Sequence, residues 1–244
     1  VNGKLRLTDE QVIILLKQWA EEFSASPLCG EVYCQLAERY DRMQDYTAKL
    51  HAAQTGLKKY PQSPSANDLK EQAAEVLTPR LMVEIPFAYP AREVDLKVKY
   101  RNLTGLTVEL YRMNLPVTSN ILEREITAST VSQYGKLVGT RHYQLAATPD
   151  YMETDTLLRY KFPTEGIYIL KSIPDGHSKY TAYGKAYVSS LQAISLGLPG
   201  GKQEINIIDR LTGHPVAGTE VAYYRVLQGE GYRLVKAYPA DSKG

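Results

Sequence analysis

Cysteine is scarce, with two in 244 residues, and so are tryptophan and phenylalanine, with one and three. Cys29 and Cys34 are too few for the disulfide framework that holds small secreted domains together. They lie in a stretch that reads as helical, at a spacing that a helix sets out of line and a bridge would distort. Both are therefore expected to be free, half-buried thiols, and the redox compartment stays open. Long apolar runs are missing as well. The longest, Val12 to Leu16, is far too short to span a bilayer. Charge of one sign is nowhere concentrated: the net charge is +2 and no Lys/Arg block stands out. That argues against a nucleic-acid platform. The chain starts at Val1 with neither Met nor a signal peptide. It stops on Tyr238-Pro239-Ala240-Asp241-Ser242-Lys243-Gly244, which reads as a turn awaiting a strand. The expectation is the front part of a longer, processed protein.

Catalytic motifs are lacking too. His51, His142, His177 and His214 are scattered, and none has a metal-ligand spacing to Cys, Asp or Glu. There is no Gly-x-Ser-x-Gly, no phosphate loop, no His-Glu-x-x-His and no calcium loop. Asp175-Gly176-His177-Ser178 reads as an Asp-Gly turn between strands rather than a hydrolase site. Asn102-Leu103-Thr104 matches a glycosylation sequon in a turn, expected to go unused. No catalytic, cofactor-binding or metal-binding residue is assigned, no cofactor is expected, and the chain is not expected to be an enzyme.

What is present falls into three zones. Residues 1–78 are helical. Thr8 with Gln11 is a capping-box signature, and Asp9 and Glu10 suit a helix N-terminus. Val12, Leu15, Leu16, Trp19 and Phe23 then recur at helical spacing. Ser26-Pro27 ends that helix. A second runs from about Gly30 to Met43, a third from Thr47 to Tyr60 and a fourth over about Ser65 to Leu77. Tyr33, Leu36, Ala37 and Tyr40, the Asp45-Tyr46 turn, Ala48, Ala52-Ala53 and Tyr60-Pro61 resemble one tetratricopeptide repeat. A lone helical hairpin cannot bury its face, so it must pack on its neighbours. A plain helical bundle, a peptide-binding repeat and a docking spacer all remain open.

Residues 79–198 read as an antiparallel β-sandwich. Val94, Leu96, Val98 and Tyr100 alternate strictly with Glu93, Asp95, Lys97 and Lys99, and Leu106, Val108 and Leu110 alternate with Thr107, Glu109 and Tyr111. The stretch from Asn114 to about Arg141 is less patterned and reads as a long hairpin or an insertion. Leu158, Tyr160 and Phe162, then Gly166 to Ile173, then one or two strands between Thr181 and Gly197 complete the set. Pro199-Gly200-Gly201 reads as a linker. Residues 202–244 carry three or four strands, with Gly229-Glu230-Gly231 as a hairpin turn. So few residues cannot bury a core alone, so this zone is the start of a second, truncated sandwich or is propped on the first. Glu204 to Val221 reads as two strands joined by the tight turn Asp209-Arg210-Leu211-Thr212-Gly213. Tyrosine is abundant, 19 against three phenylalanines. It suits half-buried sheet faces, and an exposed row of it could bind glycan or protein.

The two β zones resemble the N-terminal macroglobulin domains of a bacterial alpha-2-macroglobulin family protein of the large Bacteroidetes type. The residues that carry the resemblance are Val94 to Leu103 with Val108 to Arg112, Phe162 to Leu170, and Val188 to Leu191 followed by Ile205 to Val221. Within the last stretch Asp209, Thr212, Gly213, Pro215, Val216, Ala217 and Gly218 match nearly position for position. Other sandwich modules carry similar hairpins, and the helical zone fits only as an N-terminal extension. One departure matters. Thioester-bearing members of that family carry Cys-Gly-Glu-Gln, whereas Val32 follows Cys29-Gly30-Glu31 here, so the acyl partner is missing.

The fold class expected is therefore α+β multidomain: a tetratricopeptide-like helical bundle, a macroglobulin or immunoglobulin-like sandwich, and part of a second. The resemblance implies an endopeptidase inhibitor that is secreted or envelope-anchored and traps proteases physically. The implied partners are target proteases and further macroglobulin domains of the same chain, without nucleic acid or a membrane span. The implied location is extracytoplasmic: periplasm, outer membrane or cell surface. Two alternatives stay open. One is a cell-surface glycan- or protein-binding module. The other is a sandwich-fold enzyme, which would need convergent carboxylates in a concave site.

Overall fold

The structure, a computed structural model, describes residues 7–116, 121–227 and 231–244. They divide into two compact units. The first takes Val1–Leu81, Lys99–Thr104 and Leu145–Asp155, and the second takes Met82–Val98, Gly105–Gln144 and Thr156–Gly244.

Four helices build the first unit: α1 (Asp9–Glu22), α2 (Cys29–Arg42), α3 (Tyr46–Lys59) and α4 (Ala66–Leu77). The capping box opens α1 as the sequence implies: Thr8 accepts from the Gln11 amide, and the Gln11 side chain accepts from the Thr8 amide. Asp45 caps α3 by accepting from the Ala48 amide at 2.9 Å. Each helix packs on the next, and Leu16, Leu36, Ala37, Leu50, Ala53, Leu69 and Val76 meet in one core. Gly56 lets α3 come close to its neighbours, since an added Cβ would lie 2.6 Å from the Tyr33 Cβ. The apolar face read for α1 is only partly buried. Ile13, Leu16 and Ala20 face the core, while Leu15, Trp19 and Phe23 are exposed, Trp19 by 48%. Among the helices α1 packs on α2, so a single narrow stripe is covered.

Two short segments complete this unit. Arg101 donates from Nη2 to the Glu75 carbonyl at 2.8 Å, and Asn102 donates from Nδ2 to the Val76 carbonyl at 2.7 Å. They satisfy carbonyls that the last turn of α4 leaves without an intrahelical donor.

The second unit is built mainly of strands, paired antiparallel in its four-stranded sheet and its two hairpins. β1 (Arg80–Glu84), β2 (Glu93–Arg101) and β5 (Thr154–Lys161) form one sheet, in the order β1-β2-β5. β3 (Gly105–Met113), β4 (Gly135–Gln144), β6 (Gly166–Pro174) and β7 (Ala182–Val188) form another, in the order β4-β3-β6-β7. The alternation in β2 and β3 is realised: Leu96, Val98, Leu106, Val108 and Leu110 are buried, and Glu93, Asp95 and Lys97 are exposed. Phe162 stacks at 5.5 Å on Tyr168 of β6 and at 5.6 Å on Tyr160 of β5, joining the two inner faces. The poorly patterned stretch holds α5 (Ala128–Tyr134), capped by Thr127, followed by the edge strand β4. β4 is mostly exposed, so no alternation was needed in its sequence.

Two hairpins follow: β8 (Leu191–Leu198) with β9 (Lys202–Asp209), and β10 (Glu220–Leu227) with β11 (Gly231–Pro239). Two readings change here. Pro199-Gly200-Gly201 is the turn of the first hairpin rather than a linker, with Gly200 and Gly201 at φ 77° and 73°. Glu204 to Val221 is not one two-stranded hairpin. The Asp209–Gly213 turn forms, with the Asp209 carboxylate accepting from the Leu211 and Thr212 amides. The return strand stops at a single bridge, Ile208 to Pro215. Proline has no amide to donate, the Ile207 amide on that edge donates to the Gly244 carbonyl at 2.6 Å, and Gly218 at φ 76° turns the chain away. Of the expected turn Gly229-Glu230-Gly231, the first two residues lie outside the described residues.

Candidate functional site

The chemistry-bearing side chains stand apart from one another. Cys29 and Cys34 are buried and unbridged. Burial, reinforced by the nearby Glu31, Glu38 and Asp68 carboxylates, pushes the Cys34 thiol up to about 11. It is therefore a protonated core group rather than a nucleophile. His142 Nε2 lies 2.7 Å from Asp175 Oδ2 as an exposed pair in the second unit. His177 sits beside the Tyr180 ring at 6.4 Å, and His214 follows the Asp209 turn. Among the described residues no group of three or more His, Cys, Asp and Glu side chains is placed to hold a metal ion. Among the described residues no helix is long and apolar enough to cross a membrane.

In the two hairpins of the second unit, large apolar side chains meet water. Ile194, Leu196 and Leu198 alternate along one face of β8, with Leu196 50% exposed. On β10 and β11, Val221 pairs across from Tyr238, and Tyr223 from Lys236. Tyr223 is 58% exposed, and the Lys236 ammonium lies 4.6 Å over the Tyr238 ring. Ile205, Val221, Tyr223, Val235 and Tyr238 line an open concavity of about 850 Å³. Exposed apolar side chains thus collect on these two hairpins. Sequence reasoning expected the abundant tyrosines on half-buried sheet faces. It did not show which would stay uncovered, because exposure depends on what lies over each sheet.

A second feature lies in the helical unit, and sequence reasoning missed it. Lys49 is 3% exposed and donates to Asp41 and Glu75, each at 2.7 Å. Burial lowers the affinity of its ammonium for the proton, but these two carboxylates outweigh that and raise it above the ordinary 10.5. Arg101, 4% exposed, is pushed down from its ordinary value by burial and then by Arg80. Arg101 follows the last inward residue of an alternating strand, so alternation assigned it to solvent. No pattern in the sequence signals its burial.

No protein-family model matches the chain, and no curated protein matches it by sequence. Solved structures do. Native alpha-2-macroglobulin from Escherichia coli, as the fragment spanning domains MG0-NIE-MG1, superposes at a TM-score of 0.53 and 16% identity over 68% of this chain. The chain spans 55% of that fragment's length. A fragment of the same protein spanning NIE-MG1 gives a TM-score of 0.49 at 15% identity, over 69% of this chain and 85% of that one. A CARDB domain from Pyrococcus furiosus gives 0.28 at 12% identity, over 46% and 88%. At such identity the first of these shows the fold. The chain is an α+β protein with a macroglobulin-like fold, similar to that of bacterial alpha-2-macroglobulin.

Proposed function

We propose that this chain is the N-terminal structural part of a secreted or envelope-anchored endopeptidase inhibitor that works by trapping proteases, of the Bacteroidetes type of alpha-2-macroglobulin. The observation that carries the reading is the fold likeness to the alpha-2-macroglobulin fragment, at a TM-score of 0.53. Residues 1–78 act as a tetratricopeptide-like helical spacer, 79–198 as a macroglobulin-like sandwich, and 202–244 as the start of a second. The exposed Leu196 and Tyr223 faces seat further macroglobulin domains of the same chain. No residue takes a catalytic role, and the location is extracytoplasmic. The test is compaction. The full-length protein carrying this chain is treated with a broad-specificity protease and sized by small-angle scattering. A fall in radius with the protease retained supports trapping, and progressive fragmentation without retention contradicts it.

The second reading, a surface module for glycan or protein, draws on the exposed Tyr223 and Tyr238. It requires the isolated chain to bind such a ligand through those rings.

A further inference from the structure

Four cations and three carboxylates meet in the helical unit, and the cation left over is a buried one. Lys49 holds Asp41 and Glu75. Arg80 and Lys99 share Glu153, each at 3.0 Å. Arg101 donates only to carbonyl oxygens, Glu75 at 2.8 Å and Thr78 at 3.5 Å, and its guanidinium lies 5.9 Å over the Tyr46 ring, so no carboxylate pairs with it. Its Nε is buried with no acceptor. Helix carbonyls give a partial negative charge, not a counter-ion, and a buried charge without one is costly.

This guanidinium lines a polar pocket of about 400 Å³, together with Arg80, Gln44, Tyr46 and Met152. One surplus positive charge, ringed by three carboxylates, fits a singly charged anion. A doubly charged phosphate would meet the repulsion of Asp41, Glu75 and Glu153. A guanidinium fork is matched to a carboxylate.

We propose that this pocket binds one small carboxylate, which supplies the missing counter-charge to Arg101 beside the neighbouring Arg80. The source is either a free organic acid or the C-terminal carboxylate of a peptide. The site stands independently of protease trapping.

The test follows backbone amide NMR shifts of the full chain at low ionic strength. The probes are sodium acetate, tri-alanine with a free C-terminus, its C-terminal amide, and sodium phosphate. Saturable shifts confined to Gln44, Tyr46, Val76 and Met152 with acetate support the site with a free acid as source. Tighter binding of free tri-alanine than of acetate, lost on amidation, supports it with a peptide end as source. Absence of saturable local shifts with both carboxylates overturns the proposal, as does phosphate binding tighter than either. Two variants keep the fold out of the answer. Glu153→Gln removes a repelling charge and is expected to tighten acetate about threefold, and Arg80→Met to weaken it about as much, the scale of one solvated ion pair. Unchanged affinity in both would remove the electrostatic basis.

Discussion

The Asn102 side-chain amide donates to the Val76 carbonyl at 2.7 Å while the Asn102 backbone holds φ 56°. Two demands meet at one position: a left-handed backbone, and a donor for the end of α4. Asparagine meets both, since it tolerates that region and carries an NH2. Asn102→Ala leaves a part-buried carbonyl without its donor and is expected to cost about 1–3 kcal/mol in urea denaturation. Asn102→Gly keeps the backbone conformation and should lose less. The same contact bears on the sequon. Nδ2 also approaches the Thr78 carbonyl, at 3.4 Å. Secretion from a glycosylating host should therefore leave the mass of the Asn102 peptide unchanged.

Gly56 sets two effects against each other. Alanine raises helix propensity by about 1 kcal/mol. Its Cβ would also lie 2.6 Å from the Tyr33 Cβ and 3.0 Å from Leu69 Cδ1. Overpacking a tight crossing costs about 1–3 kcal/mol, and the Tyr33 Cβ is fixed to its backbone and cannot swing aside. Gly56→Ala should therefore lower the melting temperature. A rise would mean that the α2–α3 approach is looser than it stands here.

Much of the architecture was legible because its elements carry their own period. Strict alternation marked β2 and β3, and the Thr8–Gln11 pair marked the start of α1. What stayed hidden depends on neighbours. Trp19 and Phe23 have the spacing of a buried face yet lie exposed, because α1 covers only one stripe against α2. β4 was missed because an exposed edge strand needs no apolar alternation. The burial of Arg101 follows from carbonyls of α4, more than twenty residues earlier in the chain, which no local pattern reports.

Glu109 gives a pH dependence with a defined sign. Its carboxylate accepts from Lys171 at 2.9 Å and from the Tyr111 hydroxyl at 2.9 Å. The Lys171 hydrogen bond, ahead of the Tyr111 contact, holds it below the ordinary 4.5. A depressed folded-state value means that the stabilisation is present above 4.5 and fades as pH falls through the lower, folded value. Between pH 6 and pH 3 the wild type should therefore lose more stability than Glu109→Gln, by about 1 kcal/mol or less for one part-solvated pair. Equal loss in guanidine melts at each pH would contradict this.

The exposed hairpin faces predict a split between this chain and the longer protein. Leu196→Glu and Tyr223→Glu alter side chains that are 50% and 58% exposed. In the isolated chain each should change stability by no more than about 0.5 kcal/mol. In the full-length protein the same changes place a charge where a following domain is proposed to sit, and should lower its melting temperature and its protease retention. Equal effects in both contexts would remove the docking role.

Trapping is the central claim, and substrate size tests it most directly. The full-length protein is mixed with a broad-specificity protease, and residual activity is read on a small peptide and on a large protein substrate. Cleavage of the small substrate should persist while cleavage of the large one is lost, since an enclosed enzyme keeps its active site but excludes bulky chains. Equal activity on both, with the protein simply digested, would contradict the account.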